Sequence, residues 1–308
     1  MKAVVYERYG PPEVLQLKDV NKPTPKEDEV LIKVYATTVH VGDTRMRSFR
    51  VPLTYWLPMR LFLGIRKPKK TILGMELSGI IEERGKDVTV FKKGDEVFGL
   101  TGFGFGGYAE YKCIRADGGD ENKGMIALKP SNLSFEQAAA VPAGALTALA
   151  HMRKVNISKG QKILIYGASG SVGTYAVQIA HYFGAEVTGV CSTSNVTLVK
   201  SLGAHTVIDY TTEDFTKSGK TYDVVFDAVF KASKSRCKKV LKENGVYDSS
   251  HTKVSKLKVE DLHYLKDLIE KQKLRPVIDK IYPLDKIVEA HRYVDTGHKR
   301  GNVAITVP

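Results

Sequence analysis

The sequence predicts an α/β protein in which a β domain is joined to a doubly wound parallel sheet, and three observations support this. Residues 1 to about 126 contain short alternating or β-branched runs punctuated by Gly and Pro, which is typical of a small barrel or sandwich. After Pro130 the hydrophobic period changes from that of strands to that of helices, and the two kinds of element then alternate. A glycine-rich turn follows the first strand of this alternating region.

The composition excludes two classes of protein. The 308 residues include 47 Lys and Arg against 34 Asp and Glu, a formal net charge of +13, and 43% are hydrophobic. A disordered chain has too little apolar surface to offset the entropy of ordering, and no window here supplies the roughly 18 consecutive apolar residues of a membrane-spanning helix. Because most basic residues are single and mixed with acids, they predict a solvated surface that attracts an anionic ligand, with nucleic acid as the alternative.

The cysteines and the N-terminal sequence bear on location. Cys113, Cys191 and Cys237 lie far apart and form no Cys-x-x-Cys pair, and the first residues contain no apolar run of signal-peptide length. These features predict free thiols in a reducing compartment and a cytoplasmic protein.

In the first part of the chain, strands are predicted at residues 2–6, 29–35, 77–83 and 108–114. The segment 52–64 breaks this pattern, because it is rich in aromatic residues and a basic cluster follows it. We interpret it as the wall or lid of a cleft, with Tyr55 and Trp56 facing a substrate. Contact with a membrane surface and plain core packing are the alternatives.

The second part of the chain begins with a capping-box signature, Ser134 and Gln137, before a helix at 138–152 that Pro142 and Gly144 interrupt. The elements predicted after it are strands at 162–167, 186–191, 206–210, 222–229 and 246–249 and helices at 171–183, 195–202 and 231–242. Two helices, at 259–272 and 283–295, and a strand at 302–307 complete the chain. The domain bounds predicted from this order are 1–126 with 259–308 for the β domain and 127–258 for the parallel sheet.

The glycine turn carries the clearest functional signal. Gly167, Gly170 and Gly173 lie between a buried strand and a helix, together with Ser169, Ser171 and Val172. Such glycines permit a tight turn, a close approach of the backbone to a pyrophosphate and close contact of helix and strand, which predicts a dinucleotide site at the helix N-terminus. The residues match neither a P-loop nor the nucleophile elbow of a hydrolase.

The end of the second parallel strand predicts which dinucleotide binds. An acid there would bond the ribose 2′-hydroxyl of NAD, but residues 191–195 contain none. Ser192, Thr193, Lys200 and Tyr210 instead offer hydroxyls, a cation and a phenol to a 2′-phosphate. The sequence therefore predicts NADP(H), with a solvent-facing Lys200 and a packed Tyr210 as the alternative.

Seven short motifs together resemble the medium-chain dehydrogenase/reductase superfamily, and in particular its zinc-free quinone oxidoreductase, zeta-crystallin-like branch. They are residues 1–4, 74–79, 94–99, 108–111, 142–148, the glycine turn and 301–303. The resemblance covers essentially the whole chain. It implies a GroES-like β domain split in sequence around a Rossmann domain, with the active cleft between the two.

The resemblance also implies a reaction without zinc. The positions that correspond to the zinc ligands of related alcohol dehydrogenases are Thr38, Met75 and approximately Ala143, and none offers a thiolate or an imidazole. Without a Lewis acid, the easier substrate is a quinone or a carbon–carbon double bond conjugated to a carbonyl. The alternatives are a zinc-independent alcohol dehydrogenase or carbonyl reductase, and an NADPH-binding structural or regulatory protein with little activity.

Individual roles follow from the resemblance. The resemblance implies that Thr147 lies on the nicotinamide side of the coenzyme and that Val229 and Phe230 form the wall beside the ribose. It also implies that Ser249 contacts the carboxamide and that Asn302 lies on the phosphate side. Phe230 stands where the family commonly has Gly.

His40 stands where related reductases often have Asn. It is a candidate proton source or hydrogen-bond donor, with a structural histidine as the alternative. Asp43 is similarly placed, and capping of the local turn is its alternative role.

One departure from the family concerns the parallel sheet. A further helix and strand are expected after Ser250, but the helix at 259 follows almost directly. We therefore expect a truncated sheet and an altered or absent dimer interface, so that the protein is a monomer or an altered homodimer. A dimer pairing through residues 253–258 would contradict this.

Overall fold

Strands dominate the N-terminal part of the computed structural model and alternate with helices further along the chain. The structure describes residues 1–50, 53–117 and 122–308, and the side chains of residues 53–55 lie outside the description. The strands are β1 (Lys2–Val5), β2 (Gln16–Asp19), β3 (Glu29–Thr38), β4 (Glu76–Arg84), β5 (Glu96–Leu100), β6 (Tyr111–Arg115), β7 (Met125–Leu128), β8 (Lys162–Tyr166), β9 (Glu186–Cys191), β10 (Thr206–Asp209), β11 (Tyr222–Asp227), β12 (Leu241–Ser249), β13 (Ile278–Pro283) and β14 (Asn302–Thr306).

The helices fall between these strands and after them. They are α1 (Val41–Ser48), α2 (Leu53–Leu63), α3 (Phe135–Ala139), α4 (Pro142–Lys154), α5 (Ser171–Tyr182), α6 (Val196–Ser201), α7 (Lys234–Lys238), α8 (Val259–Glu270) and α9 (Ile287–Asp295). The predicted capping box is confirmed, because Ser134 and Gln137 bond each other's backbone at the start of α3. Within the described residues, none of these helices has both the length and the apolar character needed to cross a bilayer.

The described chain divides into two compact units. Unit 1 comprises Met1–Pro142, Lys258–Lys266 and Ile278–Pro308, and unit 2 comprises Ala143–Leu257 and Asp267–Val277. The domain bounds predicted from the sequence remain a prediction.

Unit 1 is built on a seven-stranded sheet in the order β13-β14-β3-β4-β5-β7, with β6 also paired to β3. The long strand β3 buries seven of its ten residues, which gives it partners on both edges and a central place in the core. Its C-terminal end pairs antiparallel with β14, so that Thr38 lies opposite Ala304, and the Val39 amide donates to the Val303 carbonyl at 2.9 Å. This register brings the residue after Val39, His40, to the level of Asn302.

Unit 2 contains a five-stranded parallel sheet in the order β10-β9-β8-β11-β12. Its central strand β8 buries Ile163, Leu164 and Ile165 completely, as expected of a strand covered on both faces. The α/β class predicted from the alternating elements is confirmed. Within the described chain the sheet ends at β12 and residues 253–258 form no strand, so the truncated sheet is confirmed as well.

Several elements differ from the predictions: α1, β2, β5 and β7 were not predicted, and two later regions depart from the expected pattern. The helix expected at 231–242 is only α7, because the Tyr222 amide donates to the Val240 carbonyl at 2.8 Å and draws the chain beside β11, so that β12 begins at Leu241. The helix expected at 283–295 begins at Ile287, because residues 278–283 form β13, a strand that the sequence analysis did not anticipate.

Candidate functional site

The glycine turn between β8 and α5 is shaped by contacts that a side chain would prevent. Gly167 has a φ of +78°, and a Cβ there would meet the Val229 side chain at 2.5 Å. A Cβ on Gly173 would lie 2.1 Å from the Gly167 carbonyl oxygen. Both glycines are therefore required by the protein's own packing, since such distances are shorter than van der Waals contact.

Gly170 is different, because neither strain nor packing requires a glycine there. Its φ is −78°, which any residue adopts, and among the described residues the nearest atom to a Cβ would lie 3.5 Å away. It is the N-cap of α5, where the first-turn amides have no acceptor within the helix, and it brings no side chain to cap them. The space beside these amides fits an anionic group such as a diphosphate.

The carboxyl end of β9 offers hydroxyl groups, and the structure adds an acid that the sequence analysis missed. Asp209 pairs in register with Cys191, so its carboxylate lies beside the next residues, and the Thr193 hydroxyl donates to it at 2.5 Å. The Thr211 hydroxyl also donates to Asp209, at 2.7 Å. These hydrogen bonds, that of Thr193 first, lower the pKa of Asp209, which is therefore charged. Tyr210, next in the chain, is half exposed.

The other predicted coenzyme residues of unit 2 differ in their surroundings. Ser192 is partly exposed and Lys200 lies exposed on α6. The Thr147 hydroxyl donates to the Ala143 carbonyl at 2.7 Å, and Ser249 is buried at the end of β12. Val229 packs against the glycine turn.

Phe230 adopts a strained backbone conformation. Its φ is +55°, its side chain is 60% exposed and its ring lies 4.3 Å from that of His251. A non-glycine residue in the left-handed region costs about 1–3 kcal/mol. This conformation accounts for the glycine that the family resemblance implies at this position.

In unit 1, His40 is held in one tautomer. It is the N-cap of α1, and its Nδ1 accepts a hydrogen bond from the Gly42 amide at 3.0 Å. Burial first, and then the charges of Lys299 and Arg45, lower the pKa of His40 to about 4. The ring is therefore neutral at pH 7, and because Nδ1 is an acceptor, the proton lies on Nε2.

Asp43 accepts a hydrogen bond from the backbone of His40 and holds that residue in position. The Asp43 side chain is fully buried and accepts hydrogen bonds from the His40 amide and from the Gly74 amide, both at 3.0 Å. The Tyr108 hydroxyl donates to it as well. Burial raises the pKa of Asp43 to about 7, while these hydrogen bonds oppose the rise. We therefore interpret Asp43 as a positioning residue.

The remaining predicted residues of unit 1 are Asn302, Trp56 and Tyr55. Asn302 is buried as the first residue of β14. Trp56 is 43% exposed and meets the Phe49 ring edge-on, with centroids 6.1 Å apart. The side chain of Tyr55 lies outside the described residues, so its substrate-facing role stays a prediction.

Two charged residues near His40 were not anticipated. Lys299 is half-buried in the turn before β14, where its Nζ donates to the Gly301 carbonyl at 2.5 Å. Glu76 is buried at the start of β4 and accepts a hydrogen bond from the Thr38 hydroxyl. Lys299 lies outside the sequence motifs, and Glu76 lies within the motif 74–79 but was given no role there. Strand pairing brings both residues to the end of β3.

The structure also bears on metal binding. In the part of the chain that is described, no group of three or more His, Cys, Asp or Glu side chains is arranged to hold a metal ion.

Comparison with known proteins identifies the family. Residues 26–119 match the alcohol dehydrogenase GroES-like domain, and residues 171–249 and 248–305 match two models described as zinc-binding dehydrogenase. The 2-methylene-furan-3-one reductase of Solanum lycopersicum is 37% identical over 325 residues, which covers 99% of this chain and 79% of that protein. The chain belongs to the medium-chain dehydrogenase/reductase superfamily. The predicted family is thus confirmed, as is the GroES-like domain with a Rossmann-type sheet.

Other members of the superfamily resemble the chain to a similar degree. The chloroplastic NADPH-dependent alkenal/one oxidoreductase of Arabidopsis thaliana is 34% identical, over 99% of this chain and 79% of that protein. The solved structure of the quinone oxidoreductase from Coxiella burnetii aligns with a TM-score of 0.85 at 31% identity and covers 100% of this chain and 99% of that one. These relatives are oxidoreductases.

Proposed function

We propose that this protein is an NADPH-dependent oxidoreductase that reduces quinones or carbonyl-conjugated alkenes without zinc. The observation that carries the proposal concerns Gly170. Neither backbone strain nor packing requires a glycine at this position, and the glycine leaves space beside the first-turn amides of α5. A coenzyme diphosphate fills such a space and uses those amides. The names of the relatives, an alkenal/one oxidoreductase and a quinone oxidoreductase, support the substrate class.

The choice of NADPH rests on the groups at the end of β9. Ser192 offers a hydroxyl to a 2′-phosphate, and Tyr210 offers a half-exposed phenol. The Thr193 hydroxyl donates to Asp209 and would have to turn from it to bond the phosphate. Asp209 is the nearby acid, and its carboxylate is already bonded to the hydroxyls of Thr193 and Thr211. It is therefore less available to the ribose 2′-hydroxyl that defines an NAD site.

The predicted coenzyme residues would hold NADPH, and most of them belong to unit 2. His40 of unit 1 would act on the substrate. A bound reduced nicotinamide supplies a hydride to an electrophilic carbon. The substrate oxygen becomes negative in this reaction, and a neutral His40 with its proton on Nε2 is a hydrogen-bond donor suited to that oxygen. Asp43 and Gly42 fix the orientation of the ring, so the donor is arranged before the substrate arrives.

The proposal includes no zinc because of the side chains that occupy the positions of the family's zinc ligands. Thr38 and Met75 offer a hydroxyl and a thioether, neither of which is a preferred zinc ligand. Prior treatment with a chelator should therefore leave the activity unchanged.

The proposal is tested by following NADPH oxidation with chelator-treated enzyme and a panel of quinones, enones and simple aldehydes. We expect turnover with quinones or enones, and slower turnover with NADH. Preference for aldehydes would favour a carbonyl reductase. Tight binding of NADPH without turnover on any member would favour a nucleotide-binding protein that lacks this activity, and either result would overturn the proposal.

A further inference from the structure

His40 leaves one part of the proposed reaction unexplained. Its ring is neutral and carries a proton on Nε2, so it donates a hydrogen bond but is a poor acid at neutral pH. The reduced substrate still needs a proton. We infer that the Lys299 ammonium group, which lies beside His40 where β3 ends and β14 begins, donates this proton to the substrate oxygen. The inference rests on the proposed function and extends it.

The strand register places Lys299 near His40. Thr38 lies opposite Ala304, and the Val39 amide donates to the Val303 carbonyl, which brings His40 to the level of Asn302. Lys299 lies three residues before Asn302. Its side chain folds toward the start of β14, since Nζ donates to the Gly301 carbonyl at 2.5 Å.

The turn that carries Lys299 is anchored by Asp279. Its carboxylate accepts hydrogen bonds from the Arg300 amide at 2.9 Å, from the Arg300 Nε at 3.0 Å and from the Tyr293 hydroxyl at 2.5 Å. These three contacts tie the residue next to Lys299 to β13 and α9. A proton donor needs a backbone that is fixed in this way, because its effectiveness depends on its position.

The charges around Lys299 suit a proton donor. Burial lowers the pKa of Lys299 to about 8, and the carboxylates of Glu76 and Asp279 oppose this shift. Arg45 is a further charge that acts on His40. An acid whose pKa lies near the working pH is both protonated in part and able to release its proton.

The proposed step balances for an enone. A hydride forms a new C–H bond at the β-carbon, and the coenzyme is oxidised. The π electrons of the double bond move toward the carbonyl, whose oxygen becomes negative. An N–H bond of Lys299 then breaks as an O–H bond forms, which gives an enol that becomes the ketone in water. The neutral amine recovers its proton from solvent.

The kinetic test uses Lys299→Met and Lys299→Arg, with Lys93→Met as a control because Lys93 is exposed in the same unit. We expect kcat/KM of the wild type for an enone to fall on the alkaline side with an apparent pKa of about 8. In Lys299→Met we expect kcat/KM to be about 100-fold lower and this alkaline fall to be lost. In Lys299→Arg the alkaline fall in kcat/KM should move to a pH above the measured range. Unchanged profiles in both variants would overturn the inference.

A second readout does not depend on activity. 4-Nitrophenol changes its absorption on ionisation, so its spectrum reports whether the bound molecule is phenol or phenolate. We expect the wild type and Lys299→Arg to favour bound phenolate below the solution pKa of the probe, and Lys299→Met to lose this preference. Equal spectra for wild type and Lys299→Met would overturn the inference.

The calorimetric affinity for NADPH separates the inferred role from coenzyme binding. We expect equal NADPH affinity for the wild type and Lys299→Met. A tenfold or greater loss with an unchanged 4-nitrophenol spectrum would show that Lys299 binds a coenzyme phosphate, and would overturn the inference. If the wild type reduces no member of the substrate panel, the proposed function fails, and the phenolate measurement still decides whether Lys299 stabilises an oxygen anion.

Discussion

The His291 Nε2 lies 3.1 Å from the Tyr108 hydroxyl, and both groups are buried in unit 1. On the other side of the ring, the Arg47 Nη1 lies 3.3 Å from His291 Nδ1. Because a guanidinium group only donates, Nδ1 must accept and the ring proton lies on Nε2. His291 therefore donates to Tyr108, and Tyr108 donates to Asp43. This chain of hydrogen bonds ends at Asp43, which also accepts a hydrogen bond from the His40 amide.

Removal of the Tyr108 hydroxyl should destabilise the protein. In Tyr108→Phe the His291 N–H loses its acceptor and Asp43 loses a donor, and a buried polar group without a partner costs about 1–3 kcal/mol. Urea denaturation should show a loss of this size in the free energy of unfolding. The control Tyr182→Phe removes a half-exposed hydroxyl and should change stability by less than about 0.5 kcal/mol. Equal effects of the two substitutions would contradict this chain of hydrogen bonds.

The stability of the protein should depend on the titration of His291. Burial first, and then Arg47, lower the pKa of His291 to about 3 in the folded protein, from an ordinary value of 6.5. Between these values the unfolded chain binds a proton that the folded chain does not. The stability contributed by His291 is therefore present above pH 6.5 and is lost as the pH falls from there toward 3, by at most about 1.4 kcal/mol per pH unit.

His291→Gln isolates this contribution. A glutamine amide can accept from Arg47 and donate to Tyr108, but it does not titrate in this range. We expect the variant to lose stability less steeply than the wild type below pH 6.5 when denaturation is measured at a series of pH values. His298→Gln, at an exposed position, should keep the wild-type slope. If both variants behave alike, His291 is not the titrating group.

Substitution of Gly170 should prevent coenzyme binding and leave the fold intact. In Gly170→Leu the side chain enters the space beside the first turn of α5, and no described atom lies within 3.5 Å of the added Cβ. We expect at least a tenfold loss of NADPH affinity by calorimetry, about 1.4 kcal/mol, with little change in melting temperature. Gly104→Leu is the matched control, since Gly104 also lacks close neighbours. Unchanged affinity in Gly170→Leu would refute the diphosphate assignment.

Asp209 should weaken the preference for NADPH over NADH. Its charged carboxylate lies beside Thr193, where we place the 2′-phosphate, and a like charge there is unfavourable. Asp209→Asn keeps an acceptor for the threonine hydroxyl and removes the charge. We expect the ratio of NADPH to NADH affinity to rise about fivefold, roughly 1 kcal/mol. Asp214→Asn, at another partly exposed acid of unit 2, should leave the ratio unchanged. A lower ratio in Asp209→Asn would mean that Asp209 instead assists phosphate binding.

The glycine turn could be predicted from the sequence because its requirements are local. A tight turn and the contact of Gly173 with the Gly167 carbonyl arise within one strand–turn–helix segment. The same holds for the capping box of Ser134 and Gln137. The alternation of strands and helices was sufficient to predict the fold class.

The residues that the sequence analysis missed are brought together by strand pairing. Asp209 reaches Thr193 only because β10 lies in register beside β9, and Lys299 reaches His40 only through the pairing of β14 with β3. Strand β13 escaped prediction because none of its six residues is buried, so it lacks the apolar alternation of a half-buried strand. Pairing with β14, rather than its own pattern, makes it a strand.

Transfer of label from NADPH deuterated at the nicotinamide C4 tests the central claim most directly. The wild-type protein is incubated with either stereospecifically labelled coenzyme and an enone, and the product is examined by mass spectrometry and NMR. The account predicts a saturated ketone with deuterium at the β-carbon from one of the two coenzymes. Deuterium on the former carbonyl carbon of an alcohol product, or no transfer from either coenzyme together with no turnover of quinones, would contradict it.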